Sequence, residues 1–176
     1  MSQSPNIELQ IAEEAAFAVE ETFRVMMNLH PAPHHARIER AAVIYDDILG
    51  LIPVVRTKET GDEMISMIED ETVGHFILSF PKETIFFLLK KLLQKDFTDV
   101  GPEVKDAVGE FTNVIYGVIK NSLLKLNIEL KSSVPVVTLA SHQANDEARE
   151  AKIYKIPFVL GDHTFTAWFC PSTRPR

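Results

Sequence analysis

From about Ile7 to Asn28, alanine, glutamate, phenylalanine and methionine recur with helical periodicity, and Pro31 and Pro33 forbid continuation, so a first helix is expected there. Pro31 to Asp47 mixes prolines and histidines with a short apolar patch at Ala41 to Tyr45, the pattern of a long connection with room for one helical turn. Apolar stretches at Ile52 to Thr57, Met64 to Ile68 and Val73 to Phe80 predict three strands, the last two joined by an acidic turn at Glu69, Asp70 and Glu71. Pro81 stops the third strand, and Lys82 to Leu93 follows as a helix with Phe86, Phe87, Leu89 and Leu92 among its apolar positions. Gly101 and Pro102 open the longest helical pattern, to about Leu126. Strands are then expected near Ile128 to Lys131, Pro135 to Ala140, Ala151 to Leu160 and His163 to Phe169, the last pair turning through Gly161 and Asp162. Pro157 marks one of them as an edge strand. The order predicts an α+β fold, or a layered α/β one without regular βαβ alternation, in which a largely antiparallel sheet packs against long helices.

Composition narrows the class. A chain of 176 residues, 45% hydrophobic and 24% charged, has the balance of one folded domain spanning 1–176, with its core from about residue 7 to 170. The net charge of −7, with no run of Lys or Arg, argues against nucleic acid as a partner. Residues Met1 to Asn6 are polar without a basic lead into an apolar stretch, and nowhere do about 18 apolar residues run unbroken, so neither export nor a membrane span is expected and a cytoplasmic location is. The lone Cys170 follows the apolar run Phe165 to Phe169 and reads as a small buried hydrophobe in a reducing compartment.

Candidate chemistry concentrates on the long helix. At about 100° per residue, Asp106, Glu110, Asn113 and Gly117 fall within roughly 60° of one another. Val104, Val108, Phe111, Ile115, Val118 and Ile119 take the opposite side, so the polar stripe faces outward. A solvated face explains acids and an amide at such positions, but not the glycine. Gly117 costs about 1 kcal/mol against alanine inside a helix and gains nothing there unless another backbone comes close. The stripe therefore reads as a docking surface.

The run Asp106-Ala107-Val108-Gly109-Glu110-Phe111-Thr112-Asn113, followed by Pro135, resembles the signature of the CheC/CheX/FliY chemotaxis phosphatases: Asp or Ser, three residues, Glu, two residues, Asn, then a distant Pro. The interval from Asn113 to Pro135 is about one residue shorter than the family's, a change that a loop absorbs. Ala16 to Phe23 with Met26 and Met27, Val73 to Pro81, and Ser133 to Val137 are also similar to CheX members, so the resemblance covers about residues 15 to 170. It implies a CheC-like fold and a phosphatase acting on the phospho-aspartate of a CheY-like receiver domain, with Mg²⁺ held by that partner and no cofactor or metal held by this chain. By the same resemblance Asn113 would orient the attacking water and Glu110 would pair with a lysine of the receiver. Asp106 would contact the regulator or orient the helix, Gly117 would permit close approach, and Pro135 would be structural. Members with two sites carry a second Glu-x-x-Asn on the first helix. Here Glu14 leads to Phe17, Glu20 to Phe23 and Glu21 to Arg24, so one site per chain is expected, as in CheX. The likeness to CheX also implies a homodimer, which exposed strand edges would suit.

Other constellations are weaker. His30 and His34 are four apart, but Pro31 and Pro33 between them remove helical geometry, and neither acids nor cysteines complete a metal site with His35. Ser141-His142 and Gly161-Asp162-His163 lack a nucleophile elbow or triad order. The reading from a different class is an adaptor that binds a response regulator or flagellar switch protein without catalysis; a water-orienting amide beside Glu110 argues against it.

Overall fold

The structure, a computed structural model, describes residues 7–33, 37–39, 45–60, 67–131, 133–140 and 153–172. The elements in chain order are α1 (Ile7–Met27), β1 (Ala32–Pro33), β2 (Arg37–Glu39), β3 (Ile48–Thr60), β4 (Met67–Phe80), α2 (Lys82–Leu93), α3 (Pro102–Leu124), β5 (Val136–Leu139), β6 (Ile153–Leu160) and β7 (His163–Pro171). The strands form one sheet in the order β1-β6-β7-β4-β3-β5, with β2 also on β6, and every pairing is antiparallel.

Strand alternation gives the sheet two unequal faces. Ile48, Ile52 and Val54 of β3, Phe76, Leu78 and Phe80 of β4, Ile156 and Phe158 of β6, and Phe165, Ala167 and Phe169 of β7 pack against the helices in the main core. At its centre Phe165 stacks on Phe23 of α1, Phe80 of β4 and Phe158 of β6. The other face carries a smaller cluster of Leu49, Ile77, Ile153 and Trp168, with Tyr45 edge-on to Trp168. Cys170 packs against this cluster, partly exposed, and burial pushes its thiol up to about 11.

The helices begin and end where local chemistry demands. Pro81 at the start of α2 offers no side-chain cap, and the carboxylate of Asp47, brought alongside by β3, accepts the Lys82 N–H at 2.8 Å instead. Neighbouring Asp46 accepts the Ser79 hydroxyl at 2.8 Å; burial raises its carboxyl above the ordinary range, and this hydrogen bond opposes the shift. Pro102 occupies the first turn of α3, where its missing N–H costs nothing.

Several expectations need correction. Glu69, Asp70 and Glu71 do not form a turn: they lie within β4, in register with Lys58, Thr57 and Arg56 of β3, so the chain continues through them as ladder. The expected strand Met64 to Ile68 is in part the start of this same β4, its residues before Met67 lying outside the described ones. The segment from Pro31 is not only a connection, because Ala32–Pro33 and Arg37–Glu39 pair with β6. That also removes the edge-strand reading of Pro157. β6 has neighbours on both sides, and Pro157 falls between the registers taken by β1 and β2, where its missing donor breaks no described pair. Ile128 to Lys131 makes one isolated bridge, Leu130 to Arg56, and not a strand. The turn of α3 at its C-terminal end, closed by Asn127 at φ 59°, leaves too few residues before the chain departs toward β5.

The placement of α3 depends on Gly50. A Cβ there would stand 1.9 Å from the Thr112 hydroxyl oxygen and 3.1 Å from Val108, so only glycine lets the buried side of α3 settle onto β3. Thr112 is fully buried and satisfies its hydroxyl by donating to the Val108 carbonyl at 2.8 Å. Gly50→Ala is expected to destabilise the fold by about 1–3 kcal/mol through overpacking. Urea midpoints in a double-mutant cycle with Thr112→Ala should show the two changes to be non-additive, the second relieving part of the first. An unchanged midpoint for Gly50→Ala would refute this account of the contact.

Candidate functional site

Beyond the Leu130 bridge, the chain leaves the edge of β3 and rejoins it at Val136, which pairs with Leu51. Pro135, unable to donate to a ladder, stands at the re-entry point. Residues Ser133, Val134 and Pro135 therefore detour alongside α3 instead of lying in the sheet. Tyr116 of α3 holds the start of the detour by donating its hydroxyl to the Lys131 carbonyl at 3.0 Å, and burial pushes that phenol up to about 12. Lys131 is tied in turn to β4 by an ion pair with Asp70 at 2.7 Å.

Between α3 and the detour lies an open depression of about 420 Å³, lined on the helix by Lys105, Asp106, Gly109, Glu110 and Asn113 and on the strand side by Ser133, Val134, Pro135 and Val137. The structure thus brings Asp106, Glu110, Asn113 and Pro135 into one place. Gly117 belongs to the same helix face but does not line the depression, and a Cβ there would meet nothing within 4 Å.

Side chains from the other face of α3, Val104, Val108, Phe111, Ile115 and Ile119, are buried as the periodicity requires, while Asp106, Glu110 and Asn113 are exposed. Among the described residues neither carboxylate of the stripe has an ion-pair partner. Two acids and an amide without partners in their own fold are free to meet groups brought by another molecule. The opposite wall is largely apolar, formed by Val134, Pro135 and Val137, and Val134 is 82% exposed, so a docking body would find a hydrophobic lip facing a polar helix.

Gly109, Lys105, Ser133, Val134 and Val137 escaped the reading of the sequence. Gly109 matters because a Cβ on it would stand 3.4 Å from Val137, so a larger side chain would fill the floor of the depression. Its position, four residues before Asn113, was a usable signal. The Ser133 and Val134 contribution depends on the detour, which no periodicity announces. His30 is exposed, while His34, His35, Ser141 and His142 lie outside the described residues. Among the described residues, no three His, Cys, Asp or Glu side chains gather as a metal site would need, and no helix is long and apolar enough to cross a membrane.

Comparison with known proteins places this geometry. The family model described as chemotaxis phosphatase CheX matches residues 64–159, which include the whole of α3 and the detour. No curated protein matches the chain in sequence. Among solved structures, the chemotaxis protein CheX of Desulfovibrio desulfuricans is similar with a TM-score of 0.70 at 22% identity, covering 92% of this chain and 99% of that one. The CheX of Vibrio vulnificus gives 0.71 at 19% identity, covering 92% and 99%. A chain of the CheX-CheY-BeF3-Mg²⁺ complex of Borrelia burgdorferi gives 0.64 at 15% identity, covering 90% and 95%. At these identities the structural likeness concerns the fold, which is the expected CheC-like α+β fold.

Because Asp106, Glu110 and Asn113 bear no internal load, replacing any one by alanine should move stability by less than about 0.5 kcal/mol. Thermal unfolding of the three variants checks this; a loss the size of a core truncation in any of them would show that residue to be structural.

Proposed function

Because the chain belongs to the chemotaxis phosphatase CheX family, we propose that it hydrolyses the phospho-aspartate of a CheY-like response regulator and so ends a two-component signal. The observation that carries the reading is the exposed pair Glu110 and Asn113, without a partner among the described residues, on a depression shared with Pro135. The Borrelia structure, a CheX-CheY-BeF3-Mg²⁺ complex, supports the class of partner.

In this reading the receiver presents its acyl phosphate to α3, with Mg²⁺ remaining on the receiver. The side-chain amide of Asn113 holds a water in line with the scissile bond, accepting from it and donating to it without adding charge near the phosphoryl group. The water oxygen bonds to phosphorus as the bond from phosphorus to the aspartyl oxygen breaks. Inorganic phosphate leaves carrying both of the water's protons, one of which it can then release to solvent, and the receiver's carboxylate is regenerated. Glu110, one turn away, pairs with a lysine of the receiver, which offsets the repulsion its own charge would otherwise bring to the phosphoryl group. Pro135 shapes the wall of the depression and takes no part in bond making. The reaction belongs to the cytoplasm, where such regulators act.

The same reading includes a homodimer. β5 lies at the end of the sheet, and its outward Val136 and Leu139 are 59% and 50% exposed, an edge that a second copy would cover. Sedimentation equilibrium should give twice the chain mass for wild type and the chain mass for Leu139→Lys; a wild-type monomer at high micromolar concentration rules the dimer out.

The activity is tested by following decay of a phosphorylated CheY-like regulator with Mg²⁺ present. Wild type should accelerate decay, Asn113→Ala should lose about a hundredfold in kcat while still binding, and Glu110→Ala should lose chiefly in KM. If the wild-type protein binds such regulators and leaves their decay unchanged, the chain is an adaptor and the catalytic reading is wrong.

A further inference from the structure

The depression is longer than the chemistry needs. Along α3, Glu110 lies about 4.5 Å of helix rise from Asn113, but Asp106 lies about 10 Å and Lys105 about 12 Å from it. Side chains on a helix lean toward its N-terminus, so Lys105 and Asp106 point further from Asn113 and not back toward it. The strand side runs antiparallel to this axis, since Tyr116 meets Lys131 near one end and Gly109 faces Val137 toward the other. The depression therefore has a reacting end, at Asn113 and Glu110, and a remote end, at Lys105 and Asp106.

Lys105 combines a place in the depression with the lack of an ion pair that three nearby lysines have. Lys90 pairs with Asp96, Lys95 with Glu103 and Lys131 with Asp70. The residues three and four positions from Lys105 along the helix are Gly101, Pro102, Val108 and Gly109, none of which can take its charge. Among the described residues no carboxylate pairs with it, although it lines the depression and the chain as a whole is acidic. Around the helix axis it sits about 80° to the β5 side of Asn113, whereas Glu110 sits about 60° to the other side. A partner lying over the groove would thus meet positive charge at one place and negative charge at another.

We propose that Lys105 is a docking residue that receives a carboxylate on the surface of the regulator, fixing the rotation at which its phosphoryl group arrives over Asn113. The inference rests on the phosphatase reading. It names the partner's carboxylate and not its phosphoryl group because the phosphoryl group at Asn113 is beyond the reach of a lysine two turns away. Docking by a rim charge acts through encounter and orientation, so its removal raises KM and flattens the response to salt, with the chemical step left in place.

The test compares wild type, Lys105→Gln and Lys105→Glu against the phosphorylated regulator over a range of ionic strength, with binding to the unphosphorylated regulator measured alongside. The Gln variant should raise KM about twofold to fivefold, and the Glu variant roughly tenfold at low salt, with kcat held within about twofold and both differences shrinking as salt is added. Both variants should weaken binding of the unphosphorylated regulator as well. Unchanged KM and salt response overturn the proposal. So does a loss confined to kcat, or to the phosphorylated form, either of which would put Lys105 on the phosphoryl group. No acceleration by the wild-type protein would instead refute the phosphatase reading itself.

Discussion

The contact between Gly50 and Thr112 is the constraint on which the site depends. α3 carries the charged groups and the amide of the candidate site, and its rotation about its own axis decides whether they line the depression. That rotation is set by a glycine on β3 that lets the Val108 and Thr112 side of the helix descend to the sheet. With this side pinned, the rest of the helix face follows from 3.6-residue geometry: Gly109 comes against Val137, and Glu110 and Asn113 turn outward to line the depression that Ser133 and Val134 share. A bulkier residue at position 50 would tilt or lift the helix, and the site would change shape without any of its residues being touched.

The second requirement is a strand that fails to be continuous. The Leu130 bridge and β5 run along the same edge of β3, and a continuous strand through Pro135 would leave α3 with a flat neighbour and no depression. Pro135 prevents it by offering no N–H to the ladder, and Tyr116 secures the chain where it leaves. The proline thus shapes one wall of the depression. Its neighbour Val134, 82% exposed, leaves an apolar lip beside the polar face of α3.

Much of this was legible in the sequence, and the boundary of what was legible is physical. Helices carry their own periodicity, so α1, α2 and α3 were placed to within a few residues, and the outward stripe on α3 followed from counting. The antiparallel sheet was inferable from strand order. What failed were features fixed by distant partners. Glu69 to Glu71 looks like a turn until Arg56 and Lys58 are known to stand opposite, and β1 and β2 are too short to announce themselves without β6. Ile128 to Lys131 is apolar enough for a strand, but it has only one bridge in which to express that preference. For the site, Asp106, Glu110, Asn113 and Pro135 were readable because three share one helix and the fourth belongs to a known pattern. Gly117 was read as a point of close approach, and it lies outside the lining with nothing within 4 Å of where a Cβ would stand. Lys105 was invisible for a different reason: a lysine beside an aspartate looks like ordinary surface until its lack of a partner and its place in the depression are seen together.

On the proposed phosphatase reading, the division of the stripe into a reacting end and a docking end also accounts for two acids on a surface that would receive an anion. Both placed beside the phosphoryl group would repel it, and at short range in a partly desolvated groove that repulsion would outweigh the gain from one amide. Glu110 is tolerable near Asn113 only if it meets a cation on the partner. Asp106, about 6 Å further along the axis, is far enough away to be screened and close enough to Lys105 to make the remote end dipolar. A dipolar end attracts a partner bearing both signs of charge in one orientation and disfavours the reversed one. On the proposed reading the arrangement separates two tasks along one helix: the turn at Lys105 and Asp106 selects the approach, and the turn from Glu110 to Asn113 meets the phosphoryl group.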